Sequence, residues 1–166
     1  MNVDLTQTGP RFIEMAHHIG FAIAATVDEQ RGPRTRVMQP VWRWDGTSVT
    51  GWVSTTTDAP KVADIERTPR LSLTYWDPSQ DTCTAECDVV IERDLAERAA
   101  AWQRFLDTPA PAGFDPAIHP DWEDHRSPTF GVWRLEPTWL RVMPGTLMTE
   151  GRGEVWTWRR AVDRAR

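Results

Sequence analysis

The chain has 166 residues, a formal charge of −5 and 40% hydrophobic residues. That length suits one domain spanning residues 1–166, because domains cluster at about 100–200 residues, and a chain of this size buries roughly two-thirds of its unfolded surface. The negative balance argues against nucleic-acid binding, which needs a basic face to release counterions, and no stretch approaches the ~20 apolar residues of a membrane helix. The N-terminus lacks a basic region followed by an apolar run, so a soluble, cytoplasmic protein is expected.

In chain order, Phe12, Ile13, Ala16 and Ile19 recur at helical spacing, predicting a short helix from Pro10, with the proline in its first turn. Gly20 to Asp28 is a compact apolar run that reads as a strand, closed by the Gly32–Pro33 breaker. Arg34 to Trp44 alternates, with Arg34, Arg36, Met38, Pro40, Trp42 and Trp44 on one face; Pro40 marks an edge or a bulge. Asp45–Gly46 is a hairpin signal, and Thr47 to Ser54 is the returning strand. Thr57 or Asp58 is expected to cap the next helix, where Pro60 is tolerated and Val62 and Ile65 form the buried edge. Strands follow over Arg70 to Trp76 and Thr82 to Glu92. The alanine-rich segment Leu95 to Leu106 predicts a helix, and Asp107 to Pro128 a loop long enough for a lid or a partner contact. Two closing strands are read over Thr129 to Leu135 and Thr138 to Met143. The glycines of Gly145 to Gly153 have the wrong spacing for a nucleotide-binding turn. Mostly antiparallel strands with few helices imply a mainly β, α+β fold: a β-barrel with peripheral helices.

One residue stands out chemically. Lys61 is the only lysine, every other strongly basic position being arginine. It follows a strand that empties into Ser54, Thr55, Thr56 and Thr57, and hydroxyls and backbone amides at a helix start beside an ammonium suit phosphate. If Asp45–Gly46 folds the arginine-bearing strand back along its partner, Arg34 and Arg36 return to the same corner. An arginine fork, a lysine and hydroxyls together make good phosphate chemistry.

These residues resemble the flavin-binding split-barrel family related to pyridoxamine 5′-phosphate oxidase, especially its general-stress-protein-like members. The matching pattern is Arg36-Val37, Pro40-Val41-Trp42, Trp44-Asp45-Gly46, the strand end from Trp52 to Thr56, Lys61, and Glu66-Arg67-Thr68-Pro69-Arg70-Leu71-Ser72-Leu73, covering about Ile19 to Arg93. Past Asp94 the likeness is looser, around Glu136-Pro137. The resemblance implies an antiparallel split β-barrel, a homodimer with FMN at its interface, and flavin-dependent oxidation or reduction of a small molecule. It places the FMN phosphate on Arg36 and Lys61, with Arg34 as an alternative or additional ligand and Ser54, Thr55 or Thr56 contributing hydroxyl or backbone contacts. The strand from Met38 to Val41 would run under the ring edge, with Val37 and Met38 among the cofactor-binding residues and Trp139 or Trp156 of the other subunit against the flavin. A deazaflavin in place of FMN, or a flavin-binding protein without turnover, stays open. No Arg-x-His pair occurs, which argues against vitamin B6 oxidation.

Cys83 and Cys87 lie four apart on one strand, about 13 Å at ~3.3 Å per residue, so they are read as small buried residues. His17, His18, His119 and His125, the last two in an acidic loop, show no metal-ligand spacing, and no metal is expected.

Overall fold

The computed structural model describes residues 4–161. Helix α1 (Leu5–Ile19) is followed by strands β1 (Ala22–Asp28), β2 (Gly32–Met38), β3 (Val41–Trp44) and β4 (Val49–Thr56). Then come α2 (Pro60–Arg67), β5 (Arg70–Trp76), β6 (Thr82–Glu92), α3 (Leu95–Asp107), β7 (Phe130–Met143), α4 (Thr146–Glu150) and β8 (Trp156–Arg159). The strands form one antiparallel sheet in the order β2-β1-β5-β6-β7-β4-β3, with β8 added to β7, and this sheet is not closed. It is the mainly β, α+β architecture of a split barrel. No helix among the described residues is long and apolar enough to cross a membrane.

Several elements depart from their expected bounds for local physical reasons. The side chain of Asp4 accepts from the Thr6 amide and starts α1 well before Pro10, so the proline lies inside the helix. The run from Arg34 to Trp44 is two strands, not one. At Gln39–Pro40, where proline has no amide to donate, the chain leaves β2 on one edge of the sheet and enters β3 on the other. Conversely, the two closing strands are the single strand β7. A bulge between Glu86 and Cys87 pairs Glu86 with Trp139 and Cys87 with Pro137, which leaves Thr138 as the extra residue and lets the strand pass through the proline. Ala59 rather than Thr57 or Asp58 precedes α2, without side-chain capping. A short α4 stands in the Gly145 to Gly153 segment; it has only five residues.

The barrel interior is filled by Phe12 and Ala16 of α1 and by inward residues of the strands, including Trp42, Leu73, Tyr75, Trp133 and Leu140. Trp42 meets Phe12 edge-on at 5.0 Å, and its indole N–H donates to the Tyr75 hydroxyl at 2.8 Å. Gly51 is required beneath that indole: a Cβ there would come within 2.6 Å of the ring. Cys83 and Cys87 are free and buried, and burial pushes both thiols up, so they are inert space-fillers.

A second core lies outside the barrel, where α3 and the following segment cover β3, β4 and β7 with Trp52, Ala101, Phe105, Trp122 and Phe130. The 107–128 stretch is therefore packed as a cover over this core. Trp122 is buried in it, Arg98 donates to the Ser127 carbonyl at 2.7 Å, and Gln39 donates to the Pro111 carbonyl at 2.7 Å.

Candidate functional site

The polar corner of the molecule is built where α2 packs against β1. In the β1–β2 ladder Thr26 stands opposite Arg34 and Ala24 opposite Arg36. Alternation along β2 sends both arginines to one face and Val37 to the other. Arg36 donates Nη2–H to the Thr26 hydroxyl at 2.8 Å and Nη1–H to the Ala24 carbonyl at 3.4 Å. The Thr26 hydroxyl in turn donates to Asp64 Oδ2 at 2.7 Å. Asp64, on α2, is only 5% exposed and sits 3.9 Å from both Arg34 Nη1 and Arg36 Nη2. Arg34 also approaches Asp28 at 3.5 Å.

Lys61 lies one turn before Asp64 on the same helix and is half-buried. Among the described residues it makes no ion pair and no hydrogen bond. Burial, and then the nearby Arg36 guanidinium, push its ammonium below the usual lysine range. Burial likewise lowers Arg36, with Asp64 opposing the shift and Arg34 adding to it. A half-buried ammonium near a guanidinium, with no carboxylate of its own among the described residues, is less favoured than one in water. Beside this corner a groove of about 450 Å³ runs between the β1–β2 turn and α2, lined by Asp28, Arg31, Arg34, Asp64 and Arg67. A separate depression of about 360 Å³, lined by Arg11, Met15, His18 and Trp156, contains none of these residues.

A family model described as Pyridoxamine 5′-phosphate oxidase matches residues 11–143. The chain belongs to that family. Among solved structures it is similar to a protein related to general stress protein 26 from Clostridium acetobutylicum, at 14% identity and a TM-score of 0.65, covering 95% of this chain and 96% of that one. It is also similar to a pyridoxamine 5′-phosphate oxidase-related, FMN-binding protein from Nostoc punctiforme, at 18% identity and a TM-score of 0.65, covering 97% and 94% of the two chains. An F420 reductase shares 20% identity with a TM-score of 0.52, over 76% of this chain and 93% of its own. A search of the curated proteins found no match.

Within this pyridoxamine 5′-phosphate oxidase-family fold, Arg34 and Arg36 converge on Asp64, one helical turn from Lys61 on α2, and Arg36 is near enough to add to burial in disfavouring the Lys61 charge, but the route is not the hairpin. The hairpin joins only β3 to β4, ending at the Val41–Trp52 pair, while β2 hydrogen-bonds to β1 at the opposite edge. It is the docking of α2 on β1 that sets Asp64 against both arginines and puts the helix carrying Lys61 beside them. Ser54, Thr55 and Thr56 belong to β4 itself, opposite Val132, Gly131 and Phe130. Thr55 is buried and its hydroxyl donates to the Thr56 carbonyl, whereas the side chains of Ser54 and Thr56 are half-exposed. Met38 is buried in the barrel core, and Val37 is 65% exposed. With Phe21, Ile23, Val27 and Trp76, Val37 forms an apolar outer face on β2, β1 and β5, Ile23 lying directly opposite it.

Sequence reasoning missed Thr26 and Asp64. The signal for Asp64 was its place three residues after Lys61, on the same helix face and of opposite charge. Thr26 was the one hydroxyl in β1, within its apolar run from Ala22 to Val27. Trp156 pairs with Val142 on β8, beneath the Arg11 guanidinium at 4.0 Å, and Trp139 is half-buried on β7. His17 accepts the Trp42 amide at Nε2, 2.9 Å away, and His119 stacks on Trp122. Among the described residues no three His, Cys, Asp or Glu side chains come together as a metal site.

Proposed function

We propose that the protein is a flavin-dependent oxidoreductase of small molecules, holding the phosphate of FMN on Arg36 and Lys61. The observation that carries this reading is the half-buried Lys61 ammonium, whose charge burial and the nearby Arg36 disfavour and which lacks an acidic partner among the described residues. A phosphate dianion fits that donor set, since it supplies the missing counter-charge and accepts from both a guanidinium and an ammonium. Arg34 adds charge from the next inward position of β2. Ser54 and Thr56, half-exposed at the end of β4, are the hydroxyls available to the cofactor; the buried side chain of Thr55 leaves it only backbone contacts.

The bound flavin supplies hydride or electron transfer, and the chain supplies phosphate binding, orientation and exclusion of water. We place the homodimer interface on the exposed apolar face of Phe21, Ile23, Val27, Val37 and Trp76. Val37 and Arg36 are adjacent on β2 with opposite orientation, so a partner on that face brings the second subunit to the edge of the phosphate corner. The Nostoc relative is an FMN-binding protein and another neighbour is an F420 reductase, which makes a deazaflavin the second cofactor to test. The missing Arg-x-His pair keeps vitamin B6 oxidation outside the proposal.

The test is titration of the purified protein with FMN, riboflavin and F420, followed by reduction with a nicotinamide donor and reoxidation by an acceptor. Saturable FMN or F420 binding with bleaching and recovery supports the oxidoreductase. Binding without reduction identifies a non-catalytic flavin carrier or sensor, and no binding of any of the three removes the flavin reading.

A further inference from the structure

We propose that Asp64 is a built-in competitor for the phosphate cations, and that it makes the flavin an exchangeable ligand rather than a permanently held one. This rests on the phosphate reading of the Arg36–Lys61 corner. Asp64 is nine-tenths buried and lies 3.9 Å from the guanidinium groups of both Arg34 and Arg36. Its position is fixed by the Thr26 hydroxyl at 2.7 Å, and that hydroxyl also accepts from Arg36. Asp28 draws on Arg34 from the other side at 3.5 Å. Of the three cations at the corner, only Lys61 has no carboxylate within ion-pair distance among the described residues.

Two consequences follow. A guanidinium edge turned toward Asp64 is not offered to a phosphate oxygen, and a buried carboxylate is poorly screened, so its negative charge acts on any dianion bound one helical turn away. Asp64 also helps to hold Arg36 in place, which favours binding. The repulsive effect dominates because Arg36 keeps its direct hydrogen bond to Thr26 when Asp64 loses its charge, whereas the field of the carboxylate disappears completely.

The experiment compares wild type with Asp64→Asn, which keeps the shape and an acceptor for the Thr26 hydroxyl. Affinity and release of FMN and riboflavin are measured by flavin fluorescence on the full chain. Asp64→Asn is expected to tighten FMN at least tenfold through slower release and to leave riboflavin within twofold. Wild type is expected to lose FMN on gel filtration while the variant retains it. FMN affinity that is unchanged or weaker in a folded Asp64→Asn protein overturns the proposal. If Asp64→Asn does not fold, Asp64→Ser, which also removes the charge and keeps an acceptor, decides: tightening of FMN alone supports the competition, and none refutes it. Equal binding of FMN and riboflavin by wild type instead overturns the phosphate reading beneath it, an outcome visible before any variant is made.

Discussion

Replacing Lys61 with methionine isolates the cation on which the phosphate reading turns. Methionine keeps an unbranched apolar stem on α2 and removes only the ammonium. A charge-assisted contact to a partly desolvated phosphate contributes about 1.5–3 kcal/mol, so the dissociation constant for FMN should rise about 10- to 150-fold. Riboflavin lacks the phosphate and should bind within twofold of wild type. Because burial and Arg36 both lower the Lys61 pKa, the fold disfavours its charge, and the flavin-free variant should melt at the same temperature as wild type or higher. The same shift sets the pH dependence. The protonated ammonium is the form that binds phosphate, so FMN affinity in wild type declines on the alkaline side, beginning below the ordinary lysine value of about 10.5. In Lys61→Met that decline should vanish. Paired fluorescence titrations with FMN and riboflavin, with a melt of the unliganded proteins, give the result. Equal weakening of both flavins, no weakening of either, or a melting temperature several degrees below wild type would refute the reasoning.

Val37→Asp puts a charge in the middle of the exposed apolar face, 65% exposed in the single chain, and should convert a dimer to monomers by light scattering without loss of the monomer's fold. A variant that remains dimeric would move the interface elsewhere. Tyr75→Phe strips the acceptor from the buried Trp42 indole and should cost about 1–3 kcal/mol, at about 2–4 °C in melting temperature per kcal/mol for a chain of this size. His17 accepts the Trp42 amide in its neutral form, and burial holds its folded pKa below the unfolded value of about 6.5. The unfolded chain therefore binds the proton more tightly, and the stability His17 contributes is complete above that pH and lost as pH falls through it. His17→Gln, whose amide oxygen can still accept, should flatten the fall in melting temperature between pH 7.5 and 5; identical slopes would dismiss the histidine.

How far the sequence reached differs from element to element. The alanine-rich run from Leu95 to Leu106 foretold α3, which the carboxylate of Asp94 caps, but not its buried face: Ala101 and Phe105 are buried, whereas Leu95 and Leu106 of the expected apolar side are exposed. Pro40 announced a discontinuity but not its scale, since nothing local says that the strands on its two sides sit on opposite edges of one sheet. Glu136-Pro137 suggested a break between strands because proline cannot donate to a ladder; the bulge opposite Glu86 and Cys87, contributed by a strand far away in sequence, absorbs it.

At the site, the sequence by itself determined the chemistry. A lone lysine, two arginines at alternate strand positions and hydroxyls before a helix are donors of the kind a phosphate accepts from, because charge and donor type belong to the residues. The order of these motifs also carried the family. Only the tertiary structure decided which groups share a volume. The hairpin does not put the arginines beside the helix carrying Lys61; the packing of α2 on β1 does, and it brings Asp64 and Thr26 with it. Thr55, read as a ligand, turns out to be buried, and Val37 faces outward. The physical reason is that interaction energies at 3–4 Å depend on strand order and helix docking, which are set by long-range burial of apolar faces rather than by neighbours in sequence.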